Sequence, residues 1–199
     1  LRENGISISG QKKTYTVQGS SNEITTEYLD RRDLNIEIGI GAYGGDYTDN
    51  DGEYAVTLTW DWSGEDLDDW GEPPRDIVGL HWVGDDWTVA NAEHKSTNHT
   101  YYKKHSGKHI DYQFNDSLGD GSDVHYFVTN LEPTGDSDPD DREVGGGYIH
   151  TYDGVKIESV TAGFPAGLSA TLSNNNKKWN TSTDSDSDAL IVSQSDGHA

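Results

Sequence analysis

The chain has 199 residues and carries 14 Lys plus Arg against 36 Asp plus Glu, a net charge of −22, or about one uncompensated negative charge per nine residues. That charge argues against nucleic acid or anionic membrane as a partner, the absence of cysteine excludes disulfides and thiolate metal sites, and no apolar run approaches the ~20 residues of a membrane span. A charge this large repels itself unless salt screens it, and the Debye length falls from ~10 Å at 0.1 M to ~3 Å at 1 M, so the composition presupposes concentrated salt.

In chain order, strands are expected over residues 14–17 and 23–29. Leu34-Asn35-Ile36-Glu37-Ile38-Gly39-Ile40 alternates strictly. Tyr54, Val56, Leu58, Trp60 and Trp62 then share one face of a strand, with Ala55, Thr57, Thr59 and Asp61 on the other. Residues 77–83 are apolar on both parities, which fits a central strand. Further strands are expected over 109–114, 124–131, 147–152, 155–160, 168–172 and 190–192. Asp51-Gly52, Asp120-Gly121 and Asp153-Gly154 are turn signals, and Tyr152-Asp153-Gly154-Val155 reads as a two-residue hairpin. No segment shows capped 3.6-residue apolar spacing, so helix should be minimal. Acidic stretches at 65–69, 136–141 and 183–188 read as loops or a tail.

Low hydropathy with high net charge is also the signature of disorder, but 11 Tyr, 6 Trp and 3 Phe set in alternating runs can bury one face of each strand. The expectation is an all-β fold, an antiparallel two-sheet β-sandwich of jelly-roll or immunoglobulin-like kind, forming a single domain over 1–199. The terminal segments 1–12 and 183–199 contain short uncharged strand candidates. These could pair within their own molecule or take part in inter-subunit contacts; in the first of them, Ile6 and Ile8 carry the alternation.

Asp outnumbers Glu 25 to 11 and Lys is scarce, a bias that holds water without exposing apolar stems. The composition resembles that of exported proteins of halophilic archaea, which concerns habitat and compartment only. The missing Met at Leu1 suggests a processed chain whose secretion signal has been removed. Asn98-His99-Thr100, Asn115-Asp116-Ser117 and Asn180-Thr181-Ser182 are acceptor triplets for N-glycosylation, consistent with a secreted glycoprotein, although such triplets also arise by coincidence in polar loops.

Four constellations could carry chemistry. Asp46, Asp49, Asn50, Asp51 and Glu53 form an oxygen-rich loop suited to Ca2+ or Na+, but the EF-hand spacing is not met and a solvated turn explains the cluster equally; no cofactor is required. Between residues 94 and 109 lie His94, Lys95, His99, Lys103, Lys104, His105, Lys108 and His109, with no acid among them. In so acidic a chain this basic island reads either as a contact surface for an acidic face of a second copy, a glycan or a wall polymer, or as local relief of self-repulsion. Trp70 and Trp87, each preceded by two aspartates, could offer a sugar platform or cap a sheet end, while Trp60 and Trp82 belong to the core by parity. No nucleophile elbow, zincin, phosphate-loop or dinucleotide motif occurs, so no catalytic residue is assigned.

The expected function is an extracellular structural or surface protein of an extreme halophile, able to self-assemble as a filament or surface-layer subunit through strand addition and charge-complementary contacts. The alternative is a secreted binding module or bacteriocin-like antagonist that recognises glycans or cell surfaces. A glycoside hydrolase ranks third and would need two facing carboxylates.

Overall fold

The structure is a computed structural model that describes residues 9–17, 32–48, 51–63, 75–90, 95–115, 124–151, 156–173, 178–181 and 190–198. Fourteen strands run in the order β1 (Ser9–Val17), β2 (Arg32–Thr48), β3 (Asp51–Ser63), β4 (Asp76–Trp82), β5 (Trp87–Val89), β6 (Lys95–Ser96), β7 (Thr100–Ser106), β8 (His109–Phe114), β9 (His125–Pro133), β10 (Glu143–Thr151), β11 (Ile157–Gly163), β12 (Gly167–Leu172), β13 (Lys178–Asn180) and β14 (Ile191–Ser193). A 3-10 turn follows over Ser195–His198. The first sheet has the order β1-β2-β3-β9-β5, with β6 also on β9, and the second β13-β10-β4-β8-β7, with β14 also on β10. All pairs are antiparallel. The all-β sandwich expected from the alternation is what forms. The predicted strand at 23–29 lies outside the described residues.

The alternation of β2 and β3 builds the first inner face. Leu34, Ile36, Ile38 and Ile40 pair in register with Trp62, Trp60, Leu58 and Val56, and all eight are buried. Val78, Leu80, Trp82, Ile110, Tyr112, Phe114, Val144 and Tyr148 face them from the second sheet. Trp60 sits among Phe114, Phe127 and Tyr148 in edge or tilted contacts at 5.4–6.3 Å. Burying each such side chain contributes roughly 1.5–3 kcal/mol, and the aromatic pairs add about 0.5–1.5 kcal/mol each.

A third layer was not anticipated. Strands β11 and β12 form their own two-stranded sheet, and Leu168, Ala170 and Leu172 of β12 pack on Ile77 and Ile149 of the second sheet's outer face. This explains why β4 is apolar on both parities: Val78, Leu80 and Trp82 face the sandwich, while Ile77 faces the added hairpin. Gly79 lets the layers approach, because a Cβ there would lie 2.5 Å from the Ile110 carbonyl oxygen and 3.0 Å from Leu168 Cδ1.

The hairpin expected at Tyr152-Asp153-Gly154-Val155 is corrected by the pairing around it. Those four residues lie outside the described ones, but β10 pairs with β4, β13 and β14 whereas β11 pairs with β12. After β10 the chain leaves the sheet to cover its outer face, since Ile77 and Ile149 would otherwise be exposed.

Candidate docking edge and buried polar clusters

The basic island folds largely into β7 and the β7–β8 turn. Among the described residues strand β7 is one edge of the second sheet; Tyr101, Tyr102, Lys103 and Lys104 on it are all exposed, and Lys108 is exposed in the turn. Its pairing with β8 shifts register between Tyr102 and Lys104, so Lys103 is the bulged residue. Tyr102 stands edge-on to Tyr112 at 5.7 Å, and burial together with Tyr102 raises the Tyr112 phenol above its ordinary pKa. The Arg75 guanidinium lies 4.2 Å from the Tyr101 ring centre and adds a further cation to the strip.

Other members of the island go elsewhere. His94 lies outside the described residues, Lys95 is on β6, and nothing is described of the His105 side chain. His99 adopts a left-handed backbone, φ 68°, in the turn before β7, and its carbonyl accepts the Asn115 N–H at 2.9 Å. His109 corrects the expectation of a surface contact: it is buried on the outer face of β8, where its Nδ1 lies 2.8 Å from Ser106 Oγ.

Register, not sequence spacing, gives His109 its neighbours. Gly145, His81, His109 and Ser106 lie side by side across β10, β4, β8 and β7, with Asp111 two residues along from His109 on the same face. His109 Nε2 and Asp111 Oδ1 are 3.4 Å apart, and neither forms a hydrogen bond among the described residues. Both His81 nitrogens are likewise buried without a partner there. Phe164 of the β11–β12 turn packs over the His81 ring at 5.8 Å, and a Cβ on Gly145 would lie 2.5 Å from that ring. Burial, followed by the neighbouring His109, pushes the His81 pKa down to about 4, so this side chain is neutral at pH 7.

A second polar cluster closes one end of the inner face. Asp76, fully buried at the start of β4, accepts hydrogen bonds from Tyr148 Oη, from His150 Nδ1 at 2.9 Å and from the Thr151 N–H at 2.8 Å. Trp62 Nε1 donates to Tyr148 Oη at 3.3 Å, tying the first sheet to this network. The carboxylate thereby fastens β4 to the end of β10.

The oxygen-rich loop is only partly in view. Asp46 and Asp51 lie on β2 and β3 with no description of their side chains, Asp49 and Asn50 are outside the described residues, and Glu53 Oε2 accepts the Asn130 amide at 3.1 Å. Among the described residues no three His, Asp or Glu side chains are placed to hold a metal ion. Ile6, Ile8 and Trp70 also lie outside the described residues.

Trp87 is not a sugar platform: it is 2% exposed and packs edge-on against Tyr54 at 5.5 Å. The aspartates before it belong to a turn, and Asp86 is itself buried, accepting a hydrogen bond from Ser137 Oγ at 2.7 Å. Of the glycosylation candidates, Asn98 is exposed in the turn before β7, Asn115 is half-buried after β8, and Asn180 ends β13. No protein family, curated protein or solved structure matches this chain. Its function is therefore argued from its own surface.

Proposed function

We propose that this chain is an extracellular structural protein of a salt-loving organism whose copies associate through charge-complementary contacts. The observation that carries this reading is the β7 edge, where Tyr101, Tyr102, Lys103 and Lys104 are exposed together on a molecule of net charge −22. Such a strip has a complement on the acidic surface of every other copy, and complementary potentials set partner and register more than raw affinity. The acidic loop at 136–141 is one such surface. Asp136, Asp138, Asp140 and Asp141 are exposed there, and buried Arg142 fastens the loop through the Gly135 carbonyl at 2.9 Å and Gln194 at 2.8 Å. The bulge and the paired lysines make β7 a poor template for backbone strand addition, so its contact is through side chains.

Electron microscopy in molar salt tests the reading. Wild-type protein is expected to form concentration-dependent polymers, and Lys103→Glu with Lys104→Glu to lose them without a change in fold; a wild type that stays single particles at every concentration contradicts it. A second reading, a secreted glycan-binding module, draws on the 40% exposure of both Tyr101 and Tyr102. It predicts glycan-array binding that disappears in Tyr101→Ala with Tyr102→Ala.

A further inference from the structure

Strand parity puts His81 of β4 and His109 and Asp111 of β8 on the outer face of the second sheet, and the β11–β12 turn then covers His81. A neutral imidazole offers one donor and one acceptor, and burying it with neither satisfied costs free energy. His81 is 2% exposed, and neither of its nitrogens has a hydrogen-bond partner among the described residues. Its surroundings are largely carbon. Phe164 packs over the ring at 5.8 Å, and Gly145 of β10 lies so close that a Cβ there would come within 2.5 Å of it.

The part of the hairpin that seals His81 is also its least buried part. Phe164 is only half-buried, Gly163, Pro165 and Ala166 beside it are exposed or nearly so, and none of the four is charged. Strand β11, which leads into this turn, has no buried residue: Ile157, Val160 and Ala162 are half-buried and the others exposed. The hairpin is anchored through β12, where Leu168, Ala170 and Leu172 are buried against Ile77 and Ile149. An element with so few buried apolar contacts opens at lower free energy than the body that carries it.

We infer that the β11–β12 turn is an acid-released cover: protonation of His81 lifts Phe164 and the turn off the outer face of the second sheet while the inner sandwich stays folded. The closed cover holds nothing that would stabilise an imidazolium. His109 is the titratable group beside His81, and Asp111, two residues along β8, stands at ion-pair distance from His109, 3.4 Å away. Glu143 shares the outer face of β10 two residues before Gly145, and Lys104 stands opposite Asp111 on β7. Among the described residues no carboxylate pairs with His81. Opening replaces the aromatic cover with water, which solvates the charge. His81 titrates at about 4 beneath the cover and near 6.5 in water, so opening takes up a proton and becomes easier as pH falls below 6.5, levelling off below 4. The inference does not depend on self-association.

The test uses the full chain in molar salt. Amide exchange, corrected for intrinsic rate, is followed at pH 7 and pH 5 in residues 157–168 and in β3, and the His81 ring is titrated by NMR. Between those pH values opening of 157–168 is expected to become about 20-fold easier, with these amides exchanging roughly tenfold or more faster than β3 at pH 5. His81→Leu should abolish the acid response, and Phe164→Ala should return the His81 titration toward 6.5. Hairpin amides that ignore pH, that exchange only in step with β3, or that respond equally in His81→Leu would overturn the inference. Should His81→Leu misfold, the ring titration decides: a His81 that titrates alike in wild type and Phe164→Ala is not sealed by this turn.

Discussion

Two buried polar clusters on opposite faces of the second sheet are satisfied to different degrees. On the inner face, Asp76 is surrounded by donors from Tyr148, His150 and Thr151, and Trp62 extends the network to the opposite sheet. On the outer face, beneath the added hairpin, His81 has no hydrogen-bond partner among the described residues on either nitrogen, and His109 Nε2 stands 3.4 Å from Asp111 Oδ1 without a hydrogen bond. A satisfied buried network rigidifies, whereas an unsatisfied one costs stability and leaves its surroundings easier to open. The inner sandwich is accordingly the stable body, and the hairpin layer over His81 is its less secure addition.

The largest effect is expected at the satisfied cluster. Asp76→Ala removes the acceptor shared by Tyr148, His150 and Thr151 inside the core and should destabilise by about 3–5 kcal/mol, read from denaturant melts in constant salt. A loss below about 1 kcal/mol would place the stability of that end elsewhere. Acidification addresses the other cluster. His81 has a folded pKa of about 4 against 6.5 for the free side chain, so the unfolded state binds more protons between those values. Its contribution is fully present above pH 6.5 and falls by about 3 kcal/mol as pH drops to 4 and below. His81→Leu should remove this part of the pH dependence and match or exceed wild type in stability at neutral pH; an unchanged pH profile would contradict the burial argument. Gly79→Ala sharpens the contrast further. Its Cβ would press on the Ile110 carbonyl oxygen and Leu168, so a cost of about 1–3 kcal/mol is expected, with amide exchange of β11 and β12 accelerated more than that of β3.

Much of the sandwich was legible because β2 and β3 alternate without interruption, so a period of two assigned Leu34 to Ile40 and Tyr54 to Trp62 to one buried face. Strand β7 was not, since Thr-Tyr-Tyr-Lys-Lys-His-Ser has no apolar alternation and is held by its pairing with β8. The alternation of Leu168, Ala170 and Leu172 announced a strand but could not say which face it covers. The hairpin layer thus became visible only with Ile77 and Ile149 opposite it. His81 and His109 are adjacent through register alone. The two aspartates before Trp87 left a sugar platform and a sheet-end cap both open, and the choice is made by contacts that sequence spacing does not show: Tyr54 packs on the ring and Asp86 is itself buried and hydrogen-bonded. The basic island stood out as a charge anomaly, and the edge placement of its lysines on β6 and β7 follows from strand order, which no local pattern encodes.

Both faces and the β7 edge presuppose that the −22 charge is screened. Exhaustive dialysis from molar salt to low salt with chelator, followed by far-ultraviolet circular dichroism, tests that premise most directly. The account predicts progressive loss of the β signal as self-repulsion is unmasked. A spectrum unchanged after dialysis would contradict it.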